Sequence, residues 1–365
     1  MYYTSKRRSA VSIHFGSAHL EIMSKDVVVG TYHDGIYTTV DPQREPLWLK
    51  RTKDVEQWLR ERAIDTTRSN SRLLLRILRF SDREKLEIAL KMNAAKVTDS
   101  YWVREEGDII GYRDIIFRDN KFDRVALLGD LDGFELKKER TPELTNTGSF
   151  EKCWQNRNGS WYLVKNGTVK NYFSEIFTDE FARELGFPTA GYRYNGELNA
   201  VETKDFTDSG RLCLEEADSL IGDNYTDFEL NYQTFLRFSP AVAEEYKRLL
   251  LVDALCMNFD RHEHNYGLLR DADTGSVIGM APNYDNNHAI FSTSGEFSPN
   301  PSRNFLSDYQ EFFSDHPLET KVMQEEVVQA IDKAYDLASG QLPIPVIDKD
   351  ALARKIMASA EMLGI

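Results

Sequence analysis

Residues 257–267, MNFDRHEHNYG, put two acids, two histidines, an arginine and two asparagines into eleven positions. Asp260 is an acid able to take or orient a hydroxyl proton, and Asn265, beyond four intervening residues, offers a neutral oxygen to a hard cation. Further on, Asp285 in APNYDNN supplies a second hard oxygen. Upstream, Lys165 closes the run WYLVK, Glu175 lies on the segment after it, and Thr145, Asn146, Thr147, Gly148 and Ser149 precede it as a loop of small residues. Phosphoryl transfer needs this set: backbone donors around phosphates, a lysine against the α- and β-phosphates, magnesium on hard oxygens, and a carboxylate beside the attacking hydroxyl. Glu175 would hold Lys165 by an ion pair, with Glu180 on the same helix as the alternative partner.

The elements that must position these groups follow from periodicity. EEYKRLLLVDALCMNF places Tyr246, Leu249, Leu250, Ala254 and Met257 at three- and four-residue steps, the mark of a helix with a buried face. The polar loop begins where that helix stops, and rigid scaffolds commonly present reactive groups on such loops. GSWYLVKNG reads as a strand. NYFSEIFTDEFARELG reads as an amphipathic helix with Phe173, Phe177 and Phe181 in line and Gly186 as its stop signal. YRYNGELNAVETKDF and YGLLRDADTGSVIGMAPNYD read as hairpins, the second turning at Asp273–Gly275, and residues 206–260 read as helical. Short strands are expected over 9–40 and helices over TKDVEQWLRERAI and SRLLLRILRF. SDRE at 81–84 has the form of a capping box opening another helix, GDLDGFELKKE at 129–139 reads as a loop, and the tail from 317 reads as helices.

Composition narrows the class. A chain of 365 residues can bury more than one core, and 41% apolar with 12% aromatic residues is the make-up of a folded protein. A formal charge of −14 argues against general nucleic-acid binding or attachment to an anionic membrane. Cys153, Cys213 and Cys256 have no CxxC spacing, which disfavours a disulfide framework or a cysteine-rich zinc site. The first twenty residues lack the apolar core of a signal peptide, and no stretch approaches the roughly 18 apolar residues of a spanning helix. The expectation is a soluble cytoplasmic protein.

The Asp260–Asn265 spacing is that of D-x-x-x-x-N in the kinase catalytic loop. Taken together, NFDRHEHNYG and MAPNYD resemble the D-x-H-x-x-N and downstream Y-D elements of the HipA-like serine/threonine kinases. TPELTNTGSFEKCW and WYLVKNG are similar to that family's phosphate loop and lysine strand. LRERAIDTTRS and KVTDSYWVREEGD resemble the N-terminal segment of a HipA-like group common in Firmicutes. The resemblance covers about residues 55–300. It implies an α+β, bilobal protein-kinase-like fold with a mixed α/β N-terminal domain over 1–140, an N-lobe over 141–206 and a helical C-lobe over 207–365. The implied activity is transfer of the γ-phosphoryl of Mg-ATP to a Ser/Thr hydroxyl of a protein. Asp260 is then the base, Asn265 and Asp285 the Mg2+ ligands, Lys165 the ATP contact and His262 a support of the loop. Lys204 to Phe206 fall near the hinge that meets adenine. Ser149 is the nearest candidate for the autophosphorylated serine of the phosphate loop, and an antitoxin-like partner is implied because several family members are toxins.

Two departures stand out: NYDNN replaces D-F-G, and the phosphate loop has one glycine. D-R-H-x-x-N, with His288 three residues after Asp285, also resembles the motif of phosphoinositide kinases, so a lipid or small-molecule substrate remains a competing reading. So does a pseudokinase acting as a nucleotide-binding interaction module, and so does nucleotidyl transfer to protein. Zinc on His262, His264 and His288 is disfavoured by spacing. Cys256, the Phe173–Phe177–Phe181 row and Trp48, Trp58 and Trp102 read as core, and the SKRR run at 5–8 as a solvated terminus.

Overall fold

The structure, a computed structural model, describes residues 18–365 except 66, 67, 69, 79, 81–84, 131–139, 149 and 293. Ser149, the basic run at 5–8, the 81–84 capping box and most of the 129–139 loop lie outside the described residues.

The chain opens with β1 (His19–Ser24), β2 (Val27–His33) and β3 (Ile36–Thr39), an antiparallel meander. Four short helices follow: α1 (Leu47–Thr52), α2 (Val55–Arg60), α3 (Ser71–Ile77) and α4 (Lys85–Lys91). In α2 the Asp54 carboxylate accepts the Gln57 N–H as an N-cap, and Val55, Trp58 and Leu59 are buried, as their spacing predicts. β4 (Tyr101–Glu105) returns beside β1, giving the order β3-β2-β1-β4. After α5 (Tyr112–Ile115) and α6 (Asp123–Leu128), a 3-10 turn over Pro142–Thr145 leads into β5 (Lys152–Arg157) and β6 (Ser160–Lys165). One apolar cluster joins Ile22, Val29 and Leu59 of the N-terminal segment to Leu144, Val164, Ala200 and Cys213. The N-terminal segment therefore packs directly on the sheet that carries Lys165.

That sheet is completed across α7 (Val169–Glu184) by β7 (Tyr192–Asn195) and β8 (Ala200–Lys204), in the order β5-β6-β8-β7. Thr168 caps α7 reciprocally with Asn171. Phe173, Phe177 and Phe181 are buried and stack at centroid distances of 5.6 and 5.8 Å, so the aromatic row is core.

The reading of 206–260 as helical is corrected at its start, where β9 (Leu212–Glu216) is a strand. It pairs with the hairpin of β10 (Gly267–Asp271) and β11 (Val277–Met280) in the order β11-β10-β9. The strand hides a charge. Glu215 is buried, accepting from Arg270 Nη1 at 2.6 Å, Tyr101 Oη at 2.8 Å and the Leu47 N–H at 3.2 Å. Those partners come from distant parts of the chain, so LCLEE carries no local sign of a buried strand. Gly267 lets β10 approach, since a Cβ there would collide with the Glu215 carbonyl.

Between β9 and β10 run α8 (Asp218–Ile221), α9 (Phe228–Leu236) and α10 (Pro240–Cys256). α10 starts on a Ser239 cap with Pro240 in its first turn and ends at Met257 in the left-handed conformation. It is buried on more than the expected face. Leu251, Val252 and Leu255 pack toward α7, and Tyr246, Leu250 and Ala254 toward α11 (Arg303–Asp315). α12 (Gln324–Gln341) and α13 (Lys349–Leu363) complete the helical side. Cys153, Cys213 and Cys256 are free and buried; burial pushes the Cys256 thiol up, and it behaves as a core residue.

Candidate active site

Lys165, the last residue of β6, points into a buried trio. Its Nζ lies 2.9 Å from Glu175 Oε1 and 3.0 Å from Asp285 Oδ1, with the Tyr192 ring centroid at 5.1 Å. Burial opposes the lysine's charge, but Asp285 and Glu175 reverse that and hold its pKa well above the ordinary lysine value. Against its own burial, the Asp285 carboxyl is pulled down to about 2 by Lys165 and Lys152. The second oxygen of Glu175 accepts the Asn286 N–H at 2.8 Å, so one carboxylate fixes both the lysine and the segment after Asp285. Glu180, the alternative partner, pairs with Arg183 instead. Asp285 itself has φ 58°, in the left-handed region that aspartate tolerates better than most residues.

The 257–267 loop is organised by Arg261. Its guanidinium donates to Asp253 Oδ2 at 2.8 Å and Oδ1 at 2.9 Å, and to the Asn265 carbonyl at 2.6 Å. It also reaches the Tyr284 carbonyl at 2.8 Å, Asn283 Oδ1 at 2.9 Å and Asn286 Oδ1 at 2.8 Å. One buried cation thus ties the helix end at Asp253, the loop at Asn265 and the strand exit around Asp285. Within the loop, Asn258 accepts the Asp260 N–H at 3.2 Å, and Asn265 Nδ2 donates to the Asp260 carbonyl at 2.9 Å. The latter bond uses the amide nitrogen and leaves the Asn265 side-chain oxygen outside it. His262 Nδ1 accepts the His264 N–H at 3.3 Å, a supporting contact.

His264 turns one ring nitrogen toward β9 while its other lies 3.7 Å from Glu263 Oε1. Its Nδ1 lies 3.0 Å from Glu216 Oε2, and although burial opposes its charge, Glu216 raises its pKa to about 9. His288 packs instead on Phe150 at 5.7 Å, so the three histidines do not converge on one centre.

On the opposite side, Asn146 Nδ2 donates to Glu143 at 3.3 Å, Thr145 Oγ1 to the Pro142 carbonyl at 3.1 Å, and Gly148 has φ 102°. Lys152, opposite Lys165 in the β5–β6 register, crosses under this loop so closely that a Cβ on Gly148 would collide with its Nζ. Among the described residues no carboxylate lies within ion-pair distance of it. Burial, with Lys165 nearby, lowers its pKa to about 8, Asp285 only partly opposing.

These parts line one cleft of about 390 Å³. Thr145, Thr147, Gly148, Lys165, Lys204, Phe206, Asp260, His262, Asn265 and Asp285 all border it, whereas Glu175 stands behind Lys165. Lys204 is exposed at the end of β8, and the Phe206 ring lies 5.7 Å from Tyr284. The wall facing them comes from the N-terminal segment, including Trp48, Trp58, Lys96 and Tyr101. Trp48 and Trp58 are therefore rim as well as packing residues.

Lys152, Tyr192 and Asn287 escaped the reading of the sequence, and Arg261 was counted in the polar loop but given no role. The turn Asn158-Gly159 was a signal for Lys152: a two-residue hairpin there sets Arg157 opposite Ser160, and counting back sets Lys152 opposite Lys165. Nothing local marks the other two.

No protein-family model and no curated protein matches the sequence. Among solved structures, the chain is similar to HipA of Shewanella oneidensis MR-1, seen with HipB and operator DNA. The TM-score is 0.57 at 14% identity, over 94% of this chain and 96% of that one. The fold is HipA-like. It is thus a kinase-like α+β fold, as the sequence resemblance implies. A looser likeness, at a TM-score of 0.41 and 17% identity over 58% of this chain and 94% of that one, is to the Helicobacter pylori proinflammatory kinase CtkA. Among the described residues no helix is long and apolar enough to cross a membrane.

Proposed function

We propose that this chain is a HipA-like serine/threonine protein kinase that transfers the γ-phosphoryl of Mg-ATP to a protein hydroxyl. The observation that carries the reading is the buried Lys165–Glu175–Asp285 trio sharing one cleft with Asp260 and Asn265. The donor set fits the nucleotide and its metal. Asn265 and Asp285 present hard oxygens, and Asn287 Oδ1 beside them is buried with no partner among the described residues. Lys165 and Lys152, the latter without an ion-pair partner among the described residues, suit phosphate oxygens, and Phe206 against Tyr284 gives an apolar wall for adenine. When bound, Mg2+ neutralises charge on the transferring phosphate.

The chain's own residues do the rest. Glu175 holds Lys165 in place, Arg261 fixes the Asp260–Asn265 loop relative to Asp285, and Asp260 orients and accepts the hydroxyl proton. The HipA-like fold supports an antitoxin-like partner and a cytoplasmic setting, since the S. oneidensis protein is seen in a toxin–antitoxin complex.

Intact mass spectrometry after incubation with Mg-ATP tests the reading, with calorimetric ATP titration on the same sample. A gain of about 80 Da per phosphoryl group in the wild type, absent from Asp260→Asn and Asp285→Asn, is expected. Assignment of that mass to Ser149 would place self-modification in the phosphate loop. ATP binding without transfer to itself or to a protein panel would favour a pseudokinase, and transfer to lipid alone a lipid kinase. Absence of magnesium-dependent ATP binding would sink the proposal.

A further inference from the structure

At one end of the N-terminal sheet, His19 opens β1, His33 closes β2 and Glu106 directly follows β4. Three neighbouring strands thus bring one metal-ligating side chain each to the same edge. His19 and His33 are register partners, their rings stacked at 4.8 Å with an interplanar angle of 14°. The Glu106 N–H donates to the His19 carbonyl at 3.1 Å, which fixes the third strand against the first.

The ligand atoms are close in spacing though not yet in orientation. Glu106 Oε2 lies 3.5 Å from His19 Nδ1 and 3.6 Å from His33 Nε2, and one ligand atom from each residue lies within 4.8 Å of the others. Bonds of about 2.0–2.1 Å in a tetrahedron set ligand atoms roughly 3.3–3.4 Å apart, and because an imidazole binds metal in its ring plane, closing the site requires the two stacked rings to rotate out of their stack. A second observation concerns His33: its Nε2, the atom that faces Glu106, is covered and has no hydrogen-bond partner among the described residues, although the side chain as a whole is 41% exposed. A buried ring nitrogen left so is costly unless something else satisfies it. A third concerns Asp34, whose Oδ1 lies 3.4 Å from His19 Nε2, the nitrogen not facing Glu106. A carboxylate on the far nitrogen is how proteins orient a metal-bound imidazole.

We propose that His19 Nδ1, His33 Nε2 and Glu106 Oε2 bind a zinc ion, with water in the fourth position and Asp34 orienting His19. Two imidazoles and one carboxylate suit zinc and disfavour magnesium or calcium, so this site is chemically separate from the metal ligands of the cleft. Zinc here pins the ends of three strands, stabilising the sheet that backs the cleft wall.

Calorimetric titration of the full-length, chelator-treated chain with zinc chloride in excess magnesium tests this, alongside visible absorption after adding Co2+. One zinc per chain is expected, with Co2+ bands of low-symmetry four-coordination. His33→Ala and Glu106→Gln should abolish both signals, and Asp34→Asn should weaken binding by about 10–100-fold. His264→Gln, which alters the Glu216–Asp218–His264 group in the cleft, should leave them unchanged. Melting in EDTA checks folding: the variants should melt with the wild type, and added zinc should raise the melting temperature of the wild type alone. Glu106→Gln, nearly isosteric, keeps the test valid where His33→Ala unfolds. Absence of stoichiometric binding in the wild type, or undiminished binding in Glu106→Gln, overturns the assignment, as does loss caused by His264→Gln.

Discussion

Across the cleft, the loop carrying Asp260 and Asn265 is tied down by the buried Arg261 guanidinium, whereas the loop carrying Thr147 and Gly148 is shaped by a glycine and a lysine with no ion-pair partner among the described residues. The first is a polar network centred on Arg261, which reaches Asp253, Asn265, Asn283, Tyr284 and Asn286 and, of that set, leaves only the Asn283 and Asn286 amide nitrogens without a partner among the described residues. Its cost of burial is offset by the hydrogen bonds it makes. The second holds Lys152 at a lowered pKa of about 8, a cation kept out of water with little compensation in the free protein. Preorganisation is therefore concentrated around Asp260, Asn265 and Asp285, and under the proposed function the side of Gly148 and Lys152 is left to be completed by an anion.

That contrast can be broken first at Arg261. Removing one partner of a buried ion pair leaves Asp253 uncompensated, and Arg261→Met should cost about 3–5 kcal/mol of stability, read from urea unfolding, with phosphoryl transfer falling too. The same experiment on Lys152 should behave oppositely. Lys152→Met removes that buried charge, so stability holds or rises while ATP affinity falls by about 10–100-fold, the worth of one charge-assisted bond of roughly 1.5–3 kcal/mol.

Protonation sharpens the point. The folded pKa of Lys152 lies below its unfolded one, so the destabilisation is present at neutral pH and is relieved as pH rises above about 8. Phosphates should push that pKa back up. ATP binding at pH 8.5–9 should then take up a proton in the wild type and not in Lys152→Met, measured by calorimetry in buffers of different ionisation enthalpy.

A smaller effect is expected at Gly148. With φ 102° and Lys152 beneath it, Gly148→Ala should weaken ATP by the equivalent of about 1–2 kcal/mol and leave the Arg261 side undisturbed, read as an unchanged Asp260-dependent profile of transfer at saturating ATP. The smallest concerns His264 and Glu216. The raised histidine pKa, about 9, means the pair's contribution is complete below the unfolded pKa near 6.5. It is lost as pH rises through about 9. The ring is partly exposed, so less than about 1 kcal/mol is expected, and His264→Gln should flatten that part of the stability profile.

How far the sequence reaches depends on how local each feature is. Asp260 and Asn265 share one loop, and Lys165 is joined to the helix of Glu175 by a strand end and a capped helix start, so spacing brings the lysine to that helix while leaving Glu175 and Glu180 both open. The aromatic row of α7 and both hairpins follow from period and turn chemistry. β9 does not, because its Glu215 looks like a surface acid until Arg270, Tyr101 and Leu47 arrive from elsewhere in the chain. The face-by-face burial of α10 was likewise understated, since two separate clusters close on it from opposite sides.

By itself, then, the sequence determined which chemistry was within reach: a lysine strand, an acidic helix, an Asp/Asn loop and a second Asp, in an order that a kinase-like fold can use. Local propensity and periodicity act over a few residues, and that is the range in which these features sit. Only the tertiary structure decided which carboxylate holds Lys165, that Lys152 shares its face, that Arg261 binds three segments together, and that the N-terminal segment walls the cleft. It also brought His19, His33 and Glu106 to one edge from three strands. Each of these is a contact across long stretches of chain, fixed by strand register and by the burial of charge, and neither is written in the spacing of neighbours.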